Sequence, residues 1–268
     1  MNKKKTTRVL ALISVMVLMT IISGCGTDEA LQVYDDARAK MQKAVDIEYT
    51  VKADYSCPDA DLGKKISGTF NIAPTVVFNG EELEAKALLD NQTIYIKDGV
   101  EYVHIDEGKH RGKKLKLSFE EDKDIAAQME RFLAIDMARG IELKNEHIEK
   151  TDYSENKDFT SCKFIIKEEY VKEYLEKFLV EYTFTDDSAT FLAFISTIEI
   201  TDGDLTINAD IDKEGYIKSE SFKCNVKYNT NKKTSAEFEI NASVKIKNVD
   251  ARIKIDFPNF KDYGDSWY

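Results

Sequence analysis

The chain has 268 residues, with 49 acidic and 38 basic side chains, and its formal net charge is −11. A body this acidic repels nucleic acid and anionic headgroups, which excludes both as its expected partners. The usual nucleotide-binding, zinc-binding and serine-nucleophile motifs do not occur, and the three histidines stand apart in the sequence. We therefore expect a non-enzymatic protein without a cofactor or a metal site.

Residues 1–24 have the layout of a bacterial lipoprotein signal peptide. An apolar run from Val9 to Ile22 is shorter than the roughly twenty residues that cross a bilayer as a helix. It follows a positive segment that contains Lys3, Lys4, Lys5 and Arg8. The sequence Ile22-Ser23-Gly24-Cys25 resembles a lipobox, which implies that Cys25 carries fatty acyl chains such as palmitate. We expect a lipid anchor at the extracytoplasmic face of a cell membrane, with an uncleaved membrane anchor as the alternative.

Three further cysteines, Cys57, Cys162 and Cys224, lie at scattered spacings. An odd number cannot form a complete disulfide framework, and no CxxC pair indicates zinc or redox chemistry. Each lies in or beside an apolar strand pattern, which favours a small buried residue. One disulfide is the alternative, and the spacing does not select its pairing.

Residues 28–268 are predicted to form one domain, preceded by the lipidated cysteine and a short tether at residues 25–27. Thr27 is a candidate N-cap for a first helix, in which Leu31, Tyr34 and Met41 share one face. From Ile47 the apolar period changes to two, which predicts strands. Asp98-Gly99 predicts a hairpin turn between two of these strands.

A second helix is predicted from Ser118 to Gly140, because Ser118 and Glu121 have capping-box spacing and Gly140 is a natural C-terminal stop. A third helix is predicted from Glu168 to Tyr182. These two helices carry the side chains that we predict to line a hydrophobic ligand pocket: Met129, Phe132, Tyr170, Tyr174, Phe178 and Tyr182. The alternative is plain core, which apolar stripes at helical spacing usually are.

The C-terminal third alternates apolar and polar residues in five runs, the last of which extends from Val249 to Phe257. Such alternation predicts antiparallel strands with one dry face and one wet face. A curved, one-sided sheet of about ten strands must cover its dry face, and the three predicted helices are the available cover. The sequence therefore predicts an α+β fold with a mostly antiparallel sheet.

The sequence "KHRGKK" is a basic cluster in this acidic chain and contains Lys109, His110, Arg111, Lys113 and Lys114. A solvated hairpin tip is the simplest interpretation. The alternative is a contact with lipid headgroups or with an anionic wall polymer.

The order of elements resembles that of the LolA/LppX-like lipoprotein carriers: a lipobox, a helix, strands, a helical insertion and long alternating strands. Two hairpins, "IYIKDGVEYVHIDEGKHRGKKLKL" and "INADIDKEGYIKSESFKCNVKY", and the ending "IDFPNFKDY" are similar to a family of Gram-positive lipoproteins with that predicted fold. The similarity covers most of residues 28–263. It implies an unclosed half-barrel with helices on its concave face, where several such carriers bind lipid.

Two functional hypotheses follow. The first is a lipoprotein that binds a lipid or other hydrophobic ligand between sheet and helices and catalyses no reaction. The second is a structural or interaction lipoprotein with a packed core, which offers its acidic surface to an envelope protein.

Overall fold

The computed structural model describes residues 26–58, 65–79, 82–89, 91–118, 133–182, 199–229 and 235–264. Most of these residues lie in strands: β1 (Asp46–Pro58), β2 (Lys65–Asn79), β3 (Glu82–Leu89), β4 (Gln92–Lys97), β5 (Val100–Ile105), β6 (Lys114–Ser118), β7 (Ile148–Glu155), β8 (Phe159–Ile166), β9 (Glu199–Asp212), β10 (Ile217–Asn229) and β11 (Ser235–Val249).

The strands form one eleven-stranded sheet in the order β6-β5-β4-β3-β2-β1-β11-β10-β9-β8-β7. Every neighbouring pair is antiparallel. The sheet consists of an N-terminal half, β2–β6, and a C-terminal half, β7–β11, joined through β1. Strands β6 and β7 are the edges and do not pair with each other, so the sheet is open. This confirms the predicted α+β fold with an unclosed antiparallel sheet.

Three α-helices occur among the described residues: α1 (Gly26–Met41), α2 (Ile135–Arg139) and α3 (Glu168–Tyr182). Helix α3 has the predicted bounds. Helix α1 begins at Gly26, so the two residues that the sequence assigns to a tether after Cys25 are helical. Within the described part of the chain, no helix is both long enough and apolar enough to span a membrane.

Strand side chains alternate between an inner face, on which the helices pack, and an outer face. In β10, Phe222 and Cys224 are buried while Lys223 and Asn225 are exposed, as the alternation predicts. The predicted hairpin turn is also confirmed, because Asp98 and Gly99 join β4 to β5 with φ of 52° and 69°. The two faces of the sheet can therefore be assigned from the sequence over most strands.

The predicted second helix is wrong in its last part. Ala134 has a left-handed backbone conformation with φ of 52°, so the helix that ends at Gly140 begins only at Ile135. Gly140 does end it, with φ of 90°. A Cβ atom at this position would lie 2.7 Å from both Arg38 Cγ and Ile217 Cδ1, so only glycine fits there. Residues 119–132 lie outside the described part of the chain.

The predicted strand from Val249 to Phe257 is also wrong, because β11 ends at Val249. Asp250 and Arg252 have left-handed backbones with φ of 49° and 56°, which breaks the extended conformation. The buried Asp46 side chain fixes this bend, since it accepts hydrogen bonds from the N–H groups of Ala251 (2.8 Å) and Ile253 (3.3 Å). We call residues 250–264, which begin with this bend, the strap.

The strap covers the outer face of β4 and β5 with an aromatic cluster. Phe260 stacks on Tyr102 with ring centroids 3.8 Å apart. The remaining ring pairs of the cluster have centroid distances between 5.4 and 6.3 Å, and its members are Tyr95, Tyr102, Phe257, Phe260 and Tyr263. Gly264 then pairs with the edge strand β6, donating to Lys114 O and accepting from Lys116 N. The outer face of the N-terminal half is thus partly buried.

Candidate functional site

The interior between sheet and helices is built around residues 133–144, which we call the central segment. Its apolar side chains are buried: Leu133, Ala134, Ile135, Met137, Ala138, Ile141 and Leu143. Only α2 is helical within it, so backbone groups elsewhere in the segment need other hydrogen-bond partners. The surrounding elements supply those partners.

Three tyrosine hydroxyl groups tie the central segment to its surroundings. Tyr49 of β1 donates to Leu133 O over 2.7 Å, and Tyr34 of α1 lies 2.7 Å from Ile141 O. Tyr174 of α3 accepts a hydrogen bond from the Lys144 N–H over 3.3 Å. Because each tyrosine comes from a different element, the segment links the sheet to helices α1 and α3.

Glu220 of β10 places a buried carboxyl group in this interior. It is 4% exposed, its Oε1 accepts from Ile141 N over 3.1 Å, and its Oε2 lies 2.9 Å from the Tyr34 hydroxyl. Burial raises the pKa of the Glu220 carboxyl from 4.5 to about 7, against the opposing effects of the hydrogen bonds and of Arg38. A carboxyl group with this pKa is largely protonated in mildly acidic surroundings.

Two members of the predicted aromatic row on α3, Tyr174 and Phe178, face the interior. Tyr174 and Phe178 are each 5% exposed, and Phe178 stacks on Phe222 of β10 with centroids 4.2 Å apart. Burial raises the pKa of the Tyr174 hydroxyl, which agrees with its enclosed position. These two side chains form core contacts in the structure, which is the alternative that the sequence left open.

Tyr170, at the start of the same row, is half-buried and stacks on His147 with centroids 3.8 Å apart. His147 lies in a 3₁₀ turn before β7, is 5% exposed, and its buried Nδ1 has no hydrogen-bond partner in the described part of the chain. Buried polar atoms without partners are uncommon in folded proteins. The sequence gives no signal for this histidine beyond its presence.

Four predicted site residues cannot be placed. Cys25, Met129 and Phe132 lie outside the described residues. Tyr182 is the last residue of α3, and its side chain also lies outside the described part. The structure therefore brings Tyr170, Tyr174 and Phe178 together. Met129 and Phe132, from the predicted second helix, remain predicted contacts.

The basic cluster occupies the connection between β5 and β6 and the first residue of β6. Lys109, His110 and Arg111 are exposed there, while Lys113 and Lys114 are half-buried. Lys114 Nζ lies 3.7 Å from Asp262 and 5.6 Å from the centroid of the Tyr263 ring, both in the strap. One member of the cluster is therefore held by the strap while the exposed members face solvent.

The cysteines with described side chains, Cys162 and Cys224, are free and buried. Burial raises the pKa of the Cys162 thiol to about 11 and that of Cys224 to about 12, so both remain protonated thiols at neutral pH. Both lie at inner positions of the sheet, as small buried residues. The side chain of Cys57 lies outside the described part.

A hollow of about 570 Å³ lies beside the start of α3 and of β9. Its described lining is Glu168, Glu169, Lys172, Glu199 and Ile200, and most of these side chains are charged. Such walls suit an apolar ligand poorly. In the ranges that the structure describes, His, Cys, Asp and Glu side chains form no group of three or more that could hold a metal ion.

Sequence reasoning missed Glu220, although the pattern contains a signal for it. In β10, residues 222, 224, 226 and 228 are apolar and face inward, and Glu220 has the same parity. A carboxyl group at a dry-face position must find partners or become neutral. Tyr34 and Tyr49 were recognisable as inward-facing residues, but their backbone partners depend on long-range contacts that no local pattern encodes.

Comparison with known proteins gives no family. No protein-family model matches the chain, and neither does any curated protein. Among solved structures, a DUF1329 family protein from Desulfovibrio piger is 10% identical over 87% of this chain and 97% of its own, with a TM-score of 0.24. The ywiB protein from Bacillus subtilis is 6% identical over 76% of this chain and 94% of its own, with a TM-score of 0.17. Scores this low assign neither a fold family nor a function, so the similarity to LolA/LppX-like carriers stays a prediction.

Proposed function

We propose that this chain is a lipid-anchored lipoprotein at the extracytoplasmic face of a Gram-positive cell membrane, and that it binds a lipid or other hydrophobic ligand between sheet and helices without catalysing a reaction. The extent of the apolar inner face carries this proposal. Helices α1–α3 pack mainly on β7–β11. Buried apolar side chains continue along the same face into the N-terminal half, at Ile72, Val76, Ala85, Ala87 and Ile96.

The side chains of the inner face are smallest at β3, where two alanines lie between larger side chains of the flanking strands. Ala85 lies between Val76 of β2 and Ile96 of β4, and Ala87 lies between Pro74 and Ile94. A methyl group rises less far from the sheet than the side chains of valine or isoleucine. We propose that the ligand lies over this alanine row, with Met129 and Phe132 as further contacts; because Ala85 and Ala87 are each 1% exposed, the ligand would have to displace the groups that cover them. Burial of its apolar surface would contribute about 25 cal/mol per Å².

The proposed anchor is supported by the lipobox-like sequence from Ile22 to Cys25. Helix α1 begins at Gly26, the residue after the proposed acylated Cys25. Two or more acyl chains hold a protein stably on a membrane, so the first turn of α1 is proposed to lie at the headgroups. Helix α1 packs chiefly on β7 and β8, whereas the basic cluster lies beside β6, at the other edge of the sheet. A contact of that cluster with headgroups or an anionic polymer would therefore attach the β6 edge of the sheet, which is the edge far from the lipid anchor.

A second function is supported by the packing under α3. Phe178 stacks on Phe222, and Tyr174 has a backbone partner in the central segment. Both contacts are those of a filled core. A structural or interaction lipoprotein that binds an envelope protein through its acidic surface is therefore the second candidate.

Substitution of the alanine row separates the two functions. If a ligand lies over β3, Ala87→Leu should reduce uptake of an apolar fluorescent probe several-fold and change thermal stability little. Ala73→Leu is the matched control, because Ala73 lies on the neighbouring strand with its side chain on the outer face. In a filled core, Ala87→Leu should instead overpack the interior and cost about 1–3 kcal/mol. Unchanged probe uptake in Ala87→Leu would contradict the ligand site.

The anchor is tested separately, by metabolic labelling with a fatty acid. Cys25→Ser should abolish incorporation of the label and leave an unprocessed precursor. Cys162→Ser is the control, because Cys162 is a buried thiol within the folded domain. Undiminished labelling of Cys25→Ser would contradict lipidation at this position without bearing on the ligand site.

A further inference from the structure

The Tyr34 hydroxyl group lies between two oxygen atoms and has one proton to share. Ile141 O is 2.7 Å away, and Glu220 Oε2 is 2.9 Å away. A carbonyl oxygen only accepts, so an ionised Glu220 would leave one of these two oxygen–oxygen contacts without a proton. Both contacts become hydrogen bonds when Tyr34 donates to Ile141 O and a protonated Glu220 donates to Tyr34.

We propose that Glu220, Tyr34 and Ile141 form a proton-operated latch, which fastens helix α1 and the central segment to β10 when Glu220 is protonated and loosens them when it ionises. The latch joins three elements that are distant in sequence. Glu220 Oε1 accepts from Ile141 N over 3.1 Å, so the two carboxyl oxygens hold the amide group of the central segment and the hydroxyl group of the helix together. The proposal requires no ligand and is independent of the one above.

The charges around the latch are few. Helix α1 contributes Arg38, whose Nε donates to Gly140 O over 3.0 Å and whose guanidinium lies 3.6 Å from Asp35. The strands on either side of Glu220 place Ala209 and Val244 opposite it, so neither neighbour offers a second charge. From the central segment, Glu142 is exposed and lies beyond the buried Ile141. The charge of Arg38 favours an ionised Glu220, but Arg38 also contacts Gly140 O and Asp35, and the effect of burial on the Glu220 pKa is larger than that of Arg38.

The sign of the pH dependence follows from the two states. The pKa of Glu220 is raised from 4.5 to about 7 in the folded protein, so the folded state keeps a proton that the unfolded state loses. The stabilisation is complete below pH 4.5 and is lost as the pH rises through about 7. A rise from 4.5 to about 7 spans about two and a half powers of ten, so the folding equilibrium constant should fall roughly three hundredfold from well below pH 4.5 to well above pH 7.

Glu220→Gln is the decisive variant, because its amide oxygen accepts from Ile141 N and its NH₂ group donates to Tyr34, as the protonated acid does. Denaturant unfolding of the mature chain should give similar stabilities for wild type and Glu220→Gln near pH 4.5. At pH 8 the wild type should be less stable, and hydrogen exchange should be faster in its α1 and at Ile141. Parallel pH profiles for the two proteins would overturn the latch.

A measurement on the wild type avoids any folding defect of the variant. With ¹³C-labelled glutamate, the Glu220 side-chain carboxyl signal should titrate near neutral pH, and its assignment follows from its loss in Glu220→Gln. In the latch the protonated Glu220 donates to Tyr34, so Tyr34→Phe removes the proton acceptor of the acid and should lower that midpoint. A Glu220 midpoint in the ordinary glutamate range, or one that Tyr34→Phe raises or leaves unchanged, would also overturn the proposal.

Discussion

The two halves of the sheet differ in which faces they bury. In the C-terminal half the helices cover the inner face, and the outer face is polar, with Asn208 donating to Ser221 across neighbouring strands over 3.1 Å. In the N-terminal half the outer face is covered as well, because the strap places Phe260 against Tyr102. An alternating apolar–polar sequence correctly predicts one buried face only where the opposite face of the sheet is exposed to solvent. The N-terminal half is therefore a sheet packed on both sides over part of its area.

This difference assigns different roles to the covering elements. The C-terminal half depends on the contacts of α1, α3 and the central segment with the inner face. The outer face of the N-terminal half depends on the strap, which is held by Asp46 at its start and by Gly264 at its end. Substitutions in the helix-covered interior should affect global unfolding, whereas loss of a strap contact should open the strap before the rest of the domain.

The largest effect is expected in the interior of the C-terminal half. Phe222 is 1% exposed and stacks on Phe178, so Phe222→Ala should lower the free energy of unfolding by about 3–5 kcal/mol, as is typical of buried aromatic residues. Denaturant titration measures this. Phe159→Ala in β8 is the control, because Phe159 is 39% exposed. Equal costs for the two variants would show that the helices do not seal this half.

A smaller and more local effect is expected at the start of the strap. Asp46→Ala removes the acceptor of the Ala251 and Ile253 N–H groups and should cost about 2–3 kcal/mol. Hydrogen exchange should accelerate in residues 251–264 and stay slow in α1. Asp256→Ala, which removes an exposed carboxylate within the strap, should change neither quantity. Faster exchange throughout the sheet in Asp46→Ala would contradict an independent strap.

The sequence predicts the fold well where one local pattern decides the structure. Helix α3 has its predicted bounds because its apolar spacing extends over the whole element, and Asp98-Gly99 forms its turn because both residues tolerate positive φ. The strand predicted after Val249 is wrong because an alternating pattern indicates an extended chain but does not show which strand it would pair with. There a buried carboxylate and two left-handed residues direct the chain onto the outer face.

The candidate site was less predictable for the same reason. Tyr174 and Phe178 of the α3 row are buried in the interior, but whether an aromatic stripe lines a pocket or fills a core depends on what faces it. Phe222 faces Phe178, and that pair is separated by many residues in sequence. The aromatic residues at outer positions of β4 and β5, Tyr95 and Tyr102, were a readable signal that a second layer covers that face.

The smallest effects are expected for lysines on the outer faces of the two halves. Their substitution compares how tightly those two outer faces are packed. Lys97 Nζ lies 4.6 Å from the centroid of the Phe257 ring in the strap and 3.6 Å from Glu84. Lys97→Met keeps the aliphatic stem but removes the cation, and should cost about 0.5–1 kcal/mol.

Lys227, in the C-terminal half, has a 2.8 Å contact with Asp202, and both side chains are about half exposed. The Asp202 side chain raises the pKa of Lys227, yet solvent screens such a pair. Lys227→Met should therefore leave denaturant unfolding unchanged within error. A larger loss for Lys227→Met than for Lys97→Met would show that the outer face of the C-terminal half is the more tightly packed of the two.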